Sequence, residues 1–165
     1  MKTKGKKRYL VLHAGAPGSA TGLFEVKTFD GDSPTLEQLQ AGVGGFIGPV
    51  DWIRIDHITD KPVAHLENVS FLANDDGIAM GLTLNVAVPY VASVERVSER
   101  TSRKKIRLCP IFGDIVAYIP RENGGGGLSD EQIEACFELF VRLRDIRDRF
   151  VFQKHQKEGN QDGDM

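Results

Sequence analysis

The stretch from Ser129 to Phe152 constrains the fold more than any other part of the chain. Ser129, with Gln132 three residues on, forms a capping box, and Asp130 and Glu131 complement the dipole of a first turn. Cys136, Leu139, Leu143, Ile146 and Phe150 then recur at alternating spacings of three and four, and Phe137 and Phe140 widen the stripe. The spacing predicts a helix from Asp130 to about Phe152. It places Glu138 and Arg142, Arg144 and Asp148, and Asp145 and Arg149 as i,i+4 ion pairs on the outer surface. Such a helix is roughly 35 Å long, more than a small sheet needs. Its first half must cover a sheet. The seam of Leu139, Leu143, Ile146 and Phe150 is read as a heptad-like surface for a second copy, most simply in a two-fold dimer. The alternative is a distal half that protrudes or frays.

A helix with one apolar stripe needs a sheet to cover, and the preceding residues read as short strands. Arg8–His13 is an apolar run, Leu23–Phe29 alternates, and Ala14–Gly22 between them suits a long loop. A first helix follows, with Ser33 as N-cap and Pro34 at the first helical position. Leu36, Leu39 and Val43 give its stripe, and Gly44–Gly45 ends it. Phe46–Ile47, Trp52–Ile55 and Val69–Leu72 are strand pieces. Asn74-Asp75-Asp76-Gly77 signals a tight hairpin whose return strand is Ile78–Met80. The alternating stretch from Pro89, then Ile106–Phe112 and Ile115–Ile119, complete the strands, with the basic 98–105 segment as a loop. The expected fold is therefore α+β: a mixed or antiparallel sheet of short strands, one short helix, and one long C-terminal helix across the face made by Val11, Val26, Phe71, Ile106 and Ile115.

A chain of 165 residues suits one such domain. Residues 1–7 read as a basic disordered tail, 8–152 as the domain, and QKHQKEGNQDGDM at 153–165 as a polar disordered tail. Collagen-like, disulfide-scaffold and wholly disordered classes are excluded by composition. Cys109 and Cys136 are too few for a zinc site and read as core thiols. No run of about 18 apolar residues occurs. The Tyr9–Leu12 run after the leading lysines is too short for a secretory signal, so the expected compartment is the cytoplasm.

The net charge of −2 conceals segregation. Lysines and Arg8 crowd residues 2–8. Arg96, Arg100, Arg103, Lys104, Lys105 and Arg107 stand against the single acid Glu99 in residues 96–107.

Four signatures occur in order: Leu39-Gln40-x-x-Val43-Gly44-Gly45-Phe46-Ile47, Asn74-Asp75-Asp76-Gly77, Gly81-Leu82-x-x-Asn85, and Gly113-Asp114-Ile115-Val116 before Leu128-Ser129-Asp130-Glu131. The chain thereby resembles a small family of domains of unknown function carried by bacteriophages and plasmids, over roughly residues 9–140. The resemblance implies an accessory protein of a mobile element in a bacterial cytoplasm. It supplies no catalytic residues. The long basic stretch after Asn85 and the long last helix depart from the family pattern.

Reactive constellations are sparse. Asn74, Asp75 and Asp76 lack the further oxygen ligands of a calcium loop, and turn chemistry accounts for them. His13, His57 and His65 have no metal-ligand spacing. Gly124–Gly127 lacks the Lys-Ser/Thr ending of a phosphate loop. No catalytic set, no metal site and no cofactor are therefore expected. Were there activity, Asp56, His57 and Asp76 are its carriers.

The basic segment is the better lead, with a solvated charge run as its bland alternative. The first functional reading is a non-enzymatic binding protein that sequesters a small anionic, nucleotide-like ligand such as a host immune signal. Arg100, Arg103, Lys105 and Arg107 would hold the anion, with Trp52 or Tyr90 stacking on it. The alternatives are an inhibitor that binds a host protein through the long helix, and a weak nucleic-acid-binding protein.

Overall fold

The computed structural model describes residues 6–14, 24–50, 55–56 and 61–163. Among the described residues nine strands and two α-helices run in the order β1 (Lys7–Leu12), β2 (Phe24–Phe29), α1 (Leu36–Val43), β3 (Ile47–Pro49), β4 (Ile55–Asp56), β5 (Lys61–Pro62), β6 (Ser70–Asn74), β7 (Leu84–Arg96), β8 (Ser102–Phe112), β9 (Ile115–Tyr118) and α2 (Asp130–Gly163), with one short 3-10 turn at Arg121–Asn123 before α2. The class is α+β. A five-stranded antiparallel sheet, ordered β2-β1-β9-β6-β3, carries α1 on one face and α2 on the other. β4 and β5 form a separate two-residue ladder, and β7 and β8 form a ribbon of their own.

Strand parity assigns the core residues of β1, β9 and β6 to a face. Leu10, Ala117 and Phe71 are neighbours across β1, β9 and β6, and all three join the core under α2. One residue along, Val11, Val116 and Leu72 make the next row and join the smaller core under α1 with Tyr9, Phe29, Leu39 and Val43. Of the face expected beneath α2, Phe71 and Ile115 are there. Val11 points to the opposite side, because it is one residue out of phase with Leu10 and Leu12. Val26 lies on edge strand β2 and remains half exposed. The side chain of Ile106 lies outside the described residues, and its backbone belongs to the ribbon.

The first helix begins two residues later than Ser33 implies. Thr35 accepts from the Gln38 amide at 3.2 Å while Gln38 Oε1 accepts from the Thr35 amide at 2.8 Å, a complete capping box. Leu36, at the first position, is exposed, so only Leu39 and Val43 are anchors. Gly42 lets α1 settle on β9: a Cβ there would meet Val116 Cγ2 at 2.5 Å. Gly44 closes the helix with a left-handed φ of 76°.

The capping box of α2 is as expected, with Ser129 and Gln132 bonded reciprocally at 2.8 and 3.1 Å. Its backbone continues to Gly163, past the expected end, into the segment whose composition suggests a disordered tail. Gln, Lys and Glu there propagate a helix that the preceding turns have already nucleated. Among the described residues no helix is long and apolar enough to cross a membrane.

Asn74-Asp75-Asp76-Gly77 does turn the chain, but no return strand follows. Ile78 and Met80 are exposed in an irregular loop that leads away from the sheet into β7. Asn74 explains the difference. Its side chain donates to Val43 O at 3.1 Å and accepts from the Asp76 amide at 2.8 Å, so the turn is tied down to the end of α1 rather than closed as a hairpin.

Candidate functional site

The basic segment is not a loop. Arg103, Lys104, Lys105 and Arg107 lie within β8, paired across to β7 from Arg96↔Ser102 back to Leu84↔Phe112. Only residues 97–101 turn, closed by the Val97 amide donating to Thr101 O at 3.0 Å, and Arg100 sits in this tip. Charged residues are compatible with a strand here because each described side chain from Ser93 to Lys105, and that of Arg107, is exposed. The outer part of the ribbon, from Pro89 to Arg96 and back, is an arm roughly 25 Å long.

Alternation along β8 puts Arg103, Lys105 and Arg107 in one file, at steps of roughly 7 Å. Glu95 stands opposite Arg103 and Ser93 opposite Lys105, while Lys104 and Val94 occupy the reverse face. The extra residues of the ribbon's two bulges both fall in β7, so the file on β8 is not interrupted. Two residues inward from Arg107, the same file reaches Cys109.

Cys109 lines a cleft of about 570 Å³ at the foot of the arm. Its walls are Gly48, Pro49 and Val50 of β3 and its exit, Ala73 and Asn74 of β6, the 75–79 loop, and Cys109–Phe112 of β8. Gly48 matters to its shape: a Cβ there would lie 2.8 Å from Asp75 Oδ1. Asp75 and Asp76 are exposed. Burial raises the Cys109 thiol above its ordinary range, which leaves it a poor nucleophile at neutral pH.

A polar knot joins the arm's foot to the domain. Asn85, completely buried at the start of β7, donates from Nδ2 to Leu12 O at 2.8 Å and to Gly113 O at 2.9 Å. Its Oδ1 accepts from Arg144 Nη2 at 3.1 Å, and its backbone oxygen accepts from Arg147 Nη1 at 3.0 Å. Arg144 Nη2 also donates to His13 O, whereas Arg144 Nε and Nη1 are buried with no hydrogen-bond partner. Burial, and then the neighbouring Arg147, pull the Arg144 pKa down to about 10. Arg147 is 1% exposed and pairs with Asp148 at 2.9 Å. The expected surface pair Arg144–Asp148 is thus replaced by Arg147–Asp148, because Arg144 turns inward to β7. The other two expected pairs, Glu138–Arg142 and Asp145–Arg149, form. Beside the knot, His13 lies between Asp114 at 2.8 Å and Glu25 at 3.0 Å. Burial lowers its pKa, but the hydrogen bonds and charges of the two carboxylates outweigh that and leave it raised.

The remaining sequence candidates are not brought together. Trp52 and His57 lie outside the described residues, and of Asp56 only the backbone is described, in β4. Tyr90 is the backbone partner of Arg107, but its side chain lies outside the described residues. Asp76 lies on the cleft loop beside Asp75. His13 is at the end of β1 and His65 is 3.6 Å from Glu131 near the start of α2. Among the described residues no group of three His, Cys, Asp or Glu is placed to hold a metal.

Leu139 and Leu143, read as an oligomer seam, are 1% and 2% exposed within this chain's own core. Ile146 is partly buried against the same core, and the side chain of Phe150 lies outside the described residues. The physical reason is β7. Its buried foot, Val86 and Val88, lengthens the apolar surface available to α2, so the stripe is covered further along than a compact sheet alone allows.

The buried role that Asn85, Arg144 and Arg147 share is not read from the sequence, where Asn85 stands only in a signature and Arg144 in a surface ion pair. The signal was present: Arg147 falls four residues after Leu143 and seven after Phe140, squarely on the buried stripe. Comparison with protein-family models, curated proteins and solved structures finds no match to this chain.

Proposed function

We propose that this chain is a non-enzymatic nucleic-acid-binding accessory protein of a bacteriophage or plasmid, acting in the bacterial cytoplasm, and that the β7–β8 arm holds the phosphate backbone. The observation that carries this reading is the file of Arg103, Lys105 and Arg107, exposed along one face of a ribbon, with Arg100 at its tip. Cations spaced in a line along a projecting strand match a polyanion, which offers phosphates in series. A small phosphorylated ligand needs them to converge, so the linear arrangement favours nucleic acid over sequestration of a nucleotide-like signal. Recognition of a host protein through α2 is less favoured, since Leu139 and Leu143 are already used inside the domain.

Fluorescence anisotropy with labelled duplex and single-stranded oligonucleotides across a salt series tests the proposal. Replacing Arg103, Lys105 and Arg107 by alanine is expected to weaken binding to every sequence and to flatten the slope of log K against log salt by about 2 for single strands. An unchanged affinity and slope would overturn it. So would the absence of any nucleic-acid binding by the unaltered protein at low salt.

A further inference from the structure

We infer that the cleft at the foot of the arm takes an unstacked nucleobase from a single strand whose phosphates lie along the arm. The inference rests on the nucleic-acid reading above and narrows it to a ligand class. β8 is one continuous strand that carries both parts: the cation file Arg103, Lys105, Arg107 ends two residues, or roughly 7 Å, before Cys109 in the cleft wall. A backbone tracking the file therefore delivers its next base to the cleft mouth.

The cleft has the chemistry for that base and not for more phosphate. Proline and aliphatic groups make its walls, with Phe112 as the aromatic member of the lining, and such surfaces accept the faces of any base. Asp75 and Asp76 border it, and carboxylates only accept hydrogen bonds. They repel phosphate and favour the amino groups of cytosine, adenine and guanine. The arm is cationic and the cleft border anionic, so a nucleotide can seat in one polarity only: phosphate toward Arg107, base amino group toward Asp75 and Asp76. Its volume, about 570 Å³, lies within the roughly 300–1,000 Å³ usual for small-molecule pockets. Asn74 holds the bordering loop in place through its bonds to Val43 and Asp76, so the border exists before the ligand arrives. A base within a duplex is stacked and paired, and cannot enter.

The experiment compares oligodeoxynucleotides of about twelve nucleotides: cytosine tracts, thymine tracts, and an abasic strand that keeps the phosphates and lacks the bases. The full-length protein is titrated as it is, and as Ala79→Trp, which fills the cleft from an exposed position, and as Asp75→Asn with Asp76→Asn. The unaltered protein is expected to prefer cytosine to the abasic strand by about tenfold, with thymine between them. Ala79→Trp should bring that ratio near one, whereas the double asparagine variant should lower cytosine to the level of thymine. The alanine variant of the arm should weaken all three strands and preserve the ratio. Equal binding of cytosine and abasic strands, or a ratio that neither cleft variant changes, overturns this inference while leaving the arm reading intact. Arm substitutions without effect overturn the arm reading itself. An RNA strand of the same sequence distinguishes the two sources of this shared chemistry.

Discussion

Replacing Asn85 by alanine should be among the most damaging single changes in this chain, more so than removing the buried arginine beside it. The Asn85 side chain is completely buried and serves three groups: Leu12 O, Gly113 O and Arg144 Nη2, at 2.8, 2.9 and 3.1 Å. Truncation leaves each without that partner in a place water does not reach. An orphaned buried group costs about 1–3 kcal/mol. The two carbonyls lie at the low end of that range, and Arg144 Nη2 retains His13 O, so the sum is about 3–4 kcal/mol. Arg144→Met behaves differently. It too strands Asn85 Oδ1, but it removes a desolvated charge whose Nε and Nη1 are already unpartnered. The relief offsets most of the loss, and the expected cost is about 1 kcal/mol. In the double variant the two changes are sub-additive, because the guanidinium that Asn85→Ala would orphan is no longer there. Urea denaturation followed by circular dichroism reads this directly. With a slope of about 2 kcal/mol per molar, Asn85→Ala lowers the midpoint by about 1.5–2 M and Arg144→Met by about 0.5 M. If Asn85→Ala costs under about 1 kcal/mol, or if Arg144→Met costs more than Asn85→Ala, the account of the knot is wrong.

Two further outcomes follow from the same physical picture. The His13 pKa is raised in the folded state by Asp114 and Glu25, so its stabilising contribution is complete below the unfolded value near 6.5 and disappears as pH climbs through the folded value. Urea midpoints should therefore fall from pH 6 to pH 8 in the unaltered protein more than in His13→Asn, and parallel pH profiles would refute the pairing. Burial pushes the Cys136 thiol up to about 12, while Cys109 is only partly buried at the cleft. A thiol reagent should thus modify one cysteine slowly in the native protein and the second only on unfolding, with peptide mapping to assign Cys109 as the first.

Local chemistry made the helices readable from sequence. The Ser129–Gln132 box and the stripe from Cys136 onward describe α2 correctly at its start and on its buried face, and Gly44 ends α1 where it should. Ser33 misled because Thr35 has the same capping ability and, unlike Ser33, has Gln38 three residues later to answer it. Faces were harder. Val11 and Leu10 are equally apolar, and only pairing to β9 tells which side each occupies. Asn74-Asp75-Asp76-Gly77 announced a reversal, yet the destination of the following chain was fixed by a long-range bond from Asn74 to Val43, which local pattern does not contain. The outgoing strand of the arm, from Pro89, was read by its alternation, but the start of its return strand within the basic 98–105 segment was missed for a related reason. Pattern reading treats charge as a sign of loop, but a two-stranded ribbon with both faces in water has no apolar side to display. Arg144 was placed outside because charge usually is, and Arg147 was passed over, although their helical phase said otherwise.

The arm leaves the domain at Pro89 and comes back at Leu108, two residues that are cross-strand partners. From Ser93 to Lys105, themselves cross-strand partners, every side chain is exposed, so this stretch can be lengthened or shortened by matched pairs without disturbing the core. Evolution can therefore adjust the reach and decoration of this appendage while the body beneath stays constant. For the same reason, a tight turn spliced between those two residues should yield a shortened protein that still folds, and the ribbon itself is a natural cassette for transplantation onto another host scaffold.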